Sequence, residues 1–187
     1  MSYEVEQKYR VTGFRRVVQR LVKRGVNLGD PVEQVDTYYA HPSRDFGETD
    51  EAFRLRRIGT TTCMTYKGPR IDANTKTRKE IEIPLAPGSE YHRQCSAMLK
   101  ALGFRLVAEV RKMRRVASWT DQGFSIEVAI DDVREVGKFV EIETSADARR
   151  LTAAKDRIAK VAEQLGLTQS ERTSYLELLL RSRQRQK

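Results

Sequence analysis

Cysteine and histidine are scarce in this chain, with two of each. Cys63 and Cys95 stand outside any paired motif, and neither has ligand spacing to His41 or His92. Neither a zinc site nor a disulfide framework is expected, and both cysteines read as free thiols of a reducing cytoplasm. Long apolar runs are missing as well. Nothing approaches the roughly 20 residues of a membrane span, and no signal-peptide core stands at the N-terminus, so a cytoplasmic location is the expectation. A glycine-rich phosphate loop is also absent, so anion binding at a helix terminus in the manner of nucleotide folds is not implied. No linker or solenoid repeat divides the 187 residues. A single domain over residues 1–180 with a basic, frayed tail at 181–187 is expected.

What the chain does have is charge. Charged residues make up 33% against 39% hydrophobic, and 35 Lys+Arg face 26 Asp+Glu, a net charge of +9. Such an excess favours an anionic partner, whether phosphate, nucleotide, polyphosphate or nucleic acid, without choosing among them. Any metal would be held by carboxylates, which points to a hard cation such as Mg²⁺ or Mn²⁺.

The charges are patterned. In Tyr3–Val11, Glu4, Glu6, Lys8 and Arg10 share one strand face, opposite Tyr3, Val5, Gln7, Tyr9 and Val11. Alone, this reads first as an edge strand with a solvated face, and second as one wall of a binding cavity. The pattern recurs, however. Gln34, Asp36 and Tyr38 share a face in Glu33–Ala40; Arg54 and Arg56 oppose Phe53 and Leu55; Thr65 and Lys67 oppose Met64 and Tyr66. Arg78, Glu80 and Glu82 alternate with Lys79, Ile81 and Ile83. After a strand from Phe104 to Ala117 and a turn at Asp121-Gln122-Gly123, Glu127 and Asp131 oppose Ile126, Val128 and Ile130. Glu141 and Glu143 then oppose Val140 and Ile142. Gly68-Pro69 is expected to stop the fourth strand, with a polar connection to Thr77.

Helices are expected where the period becomes 3.6. The first, capped by Thr12, runs through Val17 and Leu21 to Gly25; the second, capped by Ser89, carries a Met98, Leu99 and Leu102 stripe. A third opens at Asp147-Ala148 and buries Leu151, Ile158, Val161 and Leu165, and a last one is capped by Ser170. The fold class is α+β. Two architectures satisfy the pattern: an open sheet whose charged face meets water, or a closed antiparallel barrel that is polar inside with helices packed outside. Charges of both signs crowded in one cavity need partners. A polyanion held by Lys and Arg, with divalent metal held by carboxylates, would supply them, as in triphosphate binding.

A series of motifs carries a resemblance. Glu4-Val5-Glu6-Gln7-Lys8 is an E-x-E-x-K element, followed by Gln34 to Tyr39, Arg54-Leu55-Arg56 and Thr65 to Pro69. Arg78 to Glu82, Lys112-Met113-Arg114, Asp131-Asp132-Val133, Gly137 to Glu143 and Ser174 to Leu179 complete it. Over nearly the whole chain this resembles the CYTH, or triphosphate tunnel metalloenzyme, family, which includes class IV adenylate cyclases, thiamine triphosphatases and inorganic triphosphatases. The resemblance implies an eight-stranded tunnel with helices outside. It implies Lys8, Arg54, Arg56, Lys67, Arg78, Lys112 and Arg114 as phosphate ligands, and Glu4, Glu6, Glu141 and Glu143 as metal ligands with Asp131 and Glu80 in support. It also selects Lys112 and Arg114, rather than Arg111, Met113 and Arg115, as inward, with Met113 covered by a helix. Arg57, Lys79 and Arg115 read as solvated flanks, and Glu82 as either lining or ion-paired. Lys8, Lys67 and Tyr38 are the candidate catalytic groups, Tyr38 and Lys67 as an acid–base pair.

The implied substrate is a small-molecule triphosphate, ATP or tripolyphosphate. Cyclase-like chemistry, ATP to cyclic AMP and pyrophosphate, is the first expectation. The cyclase branch carries a His-Phe pair shortly before its E-x-E-x-K, which Met1-Ser2-Tyr3 does not match. Hydrolysis of tripolyphosphate, thiamine triphosphate or a nucleoside triphosphate therefore stays open. A non-catalytic polyphosphate or RNA binder would need aromatics interleaved with basic residues on an exposed face, whereas here they mostly fall opposite the basic positions. A homodimer is implied by resemblance only.

Overall fold

A computed structural model describes residues 2–70 and 78–186. In chain order these form β1 (Ser2–Val11), α1 (Arg15–Lys23), β2 (Val32–Ala40), β3 (Ala52–Ile58), β4 (Thr61–Arg70) and β5 (Arg78–Pro84). There follow α2 (Ser89–Ala101), β6 (Arg105–Asp121), β7 (Phe124–Val133), β8 (Gly137–Asp147), α3 (Leu151–Leu165) and α4 (Tyr175–Gln184). All strand pairs are antiparallel, and they close into one barrel in the order β1-β5-β4-β3-β2-β6-β7-β8. The closed barrel replaces the open-sheet alternative.

Period two sorts the side chains. Val5 and Tyr9 of β1 turn outward, with Ile126 and Val128 of β7 and Val140 and Ile142 of β8. Ile158, Val161 and Leu165 of α3 and Val17 and Leu21 of α1 cover them. Each such buried aliphatic contributes about 1.5–3 kcal/mol. A smaller cluster of Tyr39, Leu55 and Leu99 lies under α2. That helix meets the wall along a narrow line, so Met98 and Leu102, expected in its buried stripe, are 51% and 61% exposed. Met113 does face outward, but it is not covered as expected: it is 44% exposed.

The fourth helix behaves differently. Tyr175 and Leu179 pack on Tyr38, Ala108, Val110, Val133 and Phe139, which lie on the inward face of their strands. α4 therefore lies across one end of the barrel, while α1, α2 and α3 cover its sides. The chain reaches that end along β1. Arg10 N–H donates to Gln169 O at 2.9 Å, Glu171 N–H donates to Lys8 O at 2.8 Å, and Tyr9 bridges Ser170.

Several boundaries differ from expectation for local reasons. Thr12 does not cap α1, whose N-cap is Phe14 without a side-chain bond, because β1 runs to Val11. Gly25, at φ +73°, ends that helix as expected, and Val26 N–H reaches back to Leu21 O at 3.0 Å. Ser89 is already helical, with Gly88 as N-cap. Asp147 does not open α3; its Oδ1 accepts from Arg149 and Arg150 N–H at 2.9 and 3.1 Å, forming a turn before Leu151. Ser170 is held against β1, so the cap of α4 is Ser174, in a reciprocal capping box with Glu177. Residues 181–184, expected as frayed tail, continue α4, and Arg183 pairs with Glu135 at 3.0 Å. Gly68-Pro69 does not stop β4, which continues to Arg70 with a register shift after Lys67. The connection expected onward to Thr77 lies outside the described residues.

Ser174→Ala removes the side-chain acceptor of Glu177 N–H and leaves the bond from its own backbone N–H to Glu177; it should lower stability by about 1 kcal/mol, while Ser170→Ala should change it by no more than a few tenths. Urea unfolding midpoints of the two variants check the assignment.

Candidate active site

Inside the barrel, strand register decides which charges meet. On β2 and β3, Asp36 stands opposite Arg56, and Tyr38 opposite Arg54. Asp36 takes a bidentate pair from Arg56, Nε at 2.7 Å and Nη2 at 2.9 Å, and a further contact from Arg54 at 3.4 Å. On β6 and β7, Arg114 stands opposite Asp131. Its Nε and Nη2 donate to the two Asp131 oxygens at 2.7 and 2.6 Å, and Nη2 also meets Glu141. Lys112 Nζ lies 3.5 Å from Asp131. Lys67 bridges Glu4 at 2.8 Å and Glu80 at 2.9 Å. Arg78 donates to the carbonyls of Asp50 and Gly68 at 3.3 and 3.4 Å. Glu82 accepts from Thr65 Oγ1 at 3.1 Å.

One row aligns carboxylates. Glu6 of β1 stands opposite Glu143 of β8, and Glu143 stands opposite Glu127 of β7. Like charges directly opposite repel. Oxygens of Glu4, Glu6 and Glu143 all lie within 4.8 Å of one another. Burial, then the charges of Glu4, Glu6 and Glu127, push the Glu143 carboxyl up to about 8 despite Arg114. Burial also raises Glu4, against the pull of Lys67. An all-oxygen cluster of this kind suits Mg²⁺, Mn²⁺ or Ca²⁺.

The cations are tuned in opposite directions. Burial lowers Lys112, and neighbouring Arg114 adds to it; Asp131 offsets only part, leaving it at about 8. Burial would lower Lys67 too, but Glu4 and Glu80 outweigh it and hold its pKa above the usual lysine value. Asp36 is held far below the usual carboxylate range because Arg54 and Arg56 outweigh its burial.

Glu4, Glu6, Glu143 and the inward lysines and arginines border one cavity of about 860 Å³ that also reaches Pro42–Gly47 and Ser174–Glu177 at the α4 end, while Asp36 and Asp131 stand behind the arginines they hold. A register shift between β2 and β6 after Tyr38 leaves Val107 as the extra residue, and its side chain borders the cavity there.

The residues expected from sequence are therefore all on the inner wall, but in two kinds of setting. Glu4, Glu6 and Glu143 come together as oxygen donors. Glu141, Asp131 and Glu80 are instead engaged by Arg114, Lys112 and Lys67. Lys8 borders the cavity at the α4 end, its Nζ 2.5 Å from Thr173 O. Tyr38 and Lys67 are not joined: the Tyr38 hydroxyl accepts from Arg54 Nη1 at 3.4 Å, while Lys67 holds two glutamates. Arg10 leaves the tunnel and meets Glu171 at 3.8 Å. Asp36, Glu127, Val107 and Tyr175 join the site beyond the expected set. Asp36 and Glu127 had the right strand parity to be found. Val107 had no signal, because a bulge breaks parity.

A closed antiparallel barrel with ionised side chains of both signs turned inward defines a tunnel-type protein. The CYTH domain family model matches residues 2–175, and the chain belongs to that family. A Methanocaldococcus jannaschii protein named "Putative adenylate cyclase MJ0240" is 36% identical over 178 residues, covering 94% of this chain and 97% of that protein. The PH1819 protein of Pyrococcus horikoshii OT3 has a TM-score of 0.81 at 35% identity, over 95% of this chain and 98% of that one. A Hippeastrum protein described as a "putative adenylyl cyclase" with dominant triphosphatase activity has a TM-score of 0.69 at 13% identity, over 97% and 96% of the two chains. That last likeness concerns the fold alone. Among the described residues no helix is long and apolar enough to cross a membrane.

Between the ordinary carboxylate value of 4.5 and about 8, folded Glu143 keeps a proton that the unfolded chain releases. The folded state thus binds more protons in that window, and metal-free stability should fall as pH rises from 5 to 8. Glu143→Gln should flatten the decline. Urea midpoints in chelator at both pH values give the comparison.

Proposed function

We propose that this chain is a divalent-metal-dependent enzyme acting on a triphosphate, with class IV adenylate cyclase-like conversion of ATP to cyclic AMP and pyrophosphate as its reaction. The carrying observation is the Glu6–Glu143–Glu127 row beside Glu4, a like-charge alignment that favours a bound hard cation. Glu4, Glu6 and Glu143 would hold Mg²⁺ or Mn²⁺, which when bound supplies charge neutralisation at phosphate oxygens. Among the described residues inward carboxylates are at least as numerous as inward cations, so the described wall alone offers a polyanion no positive excess. A divalent metal would offset part of the negative charge of both the carboxylate cluster and the triphosphate.

The chain's own part is to bind and orient. Arg54 and Arg56, steadied by Asp36, and Arg114, steadied by Asp131, present guanidinium groups that span phosphate oxygens. Lys8, Lys67, Lys112 and Arg78 add charge along the same wall. In cyclisation the ribose 3′-oxygen attacks the α-phosphorus and loses its proton. The bond from that phosphorus to the oxygen bridging to the β-phosphorus breaks, and pyrophosphate leaves. Cations aimed at the phosphates stabilise the charge that develops. The name of the Methanocaldococcus jannaschii relative supports the cyclase reading at 36% identity. The same neutralisation would serve attack of water on the terminal phosphorus, the triphosphatase reaction.

Incubation with ATP and with tripolyphosphate, each with Mg²⁺ or Mn²⁺, followed by chromatography, separates the two. Cyclic AMP with pyrophosphate is the expected product. ADP with phosphate, or faster cleavage of tripolyphosphate, would replace the cyclase with a hydrolase. Glu6→Gln should lower metal-dependent turnover by about 100-fold or more, in the range of losing an electrostatic stabiliser.

A further inference from the structure

We propose that Tyr175, the first residue of α4, is a positioning residue for the phosphate-binding cations, a role that rests on the triphosphate reading of the tunnel. Tyr175 is 7% exposed and borders the cavity. Lys8 Nζ sits over its ring, 4.0 Å from the centroid, and Lys112 Nζ lies 5.3 Å from the same centroid. The Tyr175 hydroxyl donates to Asp131 Oδ2 at 2.9 Å. Asp131 in turn holds Arg114 through two bonds. One side chain thus governs two ammonium groups directly and a guanidinium through a single carboxylate.

The chemistry of the seat matters. Lys67 is gripped by Glu4 and Glu80, whose negative charges compete with phosphate for it. An aromatic face attracts an ammonium group without neutralising it, so the ring helps to seat Lys8 and Lys112 without adding a further anion that competes with phosphate. Thr173 O, just before the helix, adds a neutral acceptor for Lys8 at 2.5 Å. A lysine ordered before the anion arrives spares binding the cost of immobilising it. The ring is itself fixed, edge-on to Phe139 at 5.0 Å. Burial, together with the charges of Glu141 and Asp131, keeps the Tyr175 hydroxyl protonated and donating.

If Tyr175 merely filled space under α4, its replacement would lower thermal stability and leave the affinity of folded protein intact. Calorimetric titration of the full chain with inorganic tripolyphosphate, with and without Mg²⁺, separates the two roles when each variant's Tm is also measured. Tyr175→Leu and Tyr175→Met, two ringless replacements of different shape, should weaken tripolyphosphate binding about tenfold, the cost of ordering two lysines on binding. Tyr175→Phe, which keeps the ring and loses only the Asp131 bond, should recover most of it and stay within about threefold of wild type. Leu179→Ala, a packing change on the same face of α4, should lower Tm without weakening binding. A folded ringless variant that binds like wild type, or a Leu179→Ala that loses the same affinity, overturns the positioning role. Wild-type protein that binds neither tripolyphosphate nor ATP overturns the triphosphate reading and this role together.

Discussion

Everything in this barrel depends on enclosing ionised groups of both signs away from bulk water. Taking a carboxylate or guanidinium out of water costs several kcal/mol, and an ion pair recovers it only with good geometry and filled hydrogen bonds. The wall meets that condition through register. Asp36 faces Arg56 and Asp131 faces Arg114 across neighbouring strands, so each bidentate pair forms between side chains that the backbone has already brought together. Where the register instead aligns Glu6, Glu143 and Glu127, burial and the neighbouring carboxylates push the Glu143 carboxyl up.

The net charge of the chain lies mostly elsewhere. Arg15, Arg16, Arg20, Lys23 and Arg24 are exposed on and beside α1, whereas the inner wall carries carboxylates as freely as cations. An overall charge of +9 therefore bears on what approaches the outer surface. Inside the tunnel, local alignment decides which charges meet.

Strand faces were the most legible part of the sequence. Because the period is two, each alternating segment announced its inner residues, and β3 ends at the very residues read from sequence, Ala52 and Ile58. Lys112 and Arg114 were placed inward by resemblance, and the β6 register agrees. Helix caps were much less legible, since Thr12, Ser89 and Ser170 are plausible caps by composition and only tertiary contacts decide against them. Ser170 is the clearest case: its pairing with β1 is invisible locally, although Ser174 and Glu177 had the spacing of a capping box. Within the site, like-typed residues diverged for the same reason. Nothing in the sequence distinguishes Glu141, claimed by Arg114, from Glu143, which lies among carboxylates. The sealing of one end by α4 was hidden too, because its apolar stripe looks the same whether it covers a wall or closes an opening.

The strap at residues 169–171 has a consequence for assembly. β1 is made before its partners β5, β8 and this strap, and the bond from Lys8 to Thr173 spans 165 residues of sequence. Until those late residues are made, the acidic and basic face of β1 has no enclosure and stays hydrated. Closure is then a long-range event, of the kind that slows folding. The desolvation of the tunnel is thereby deferred to the moment when every counter-charge is present.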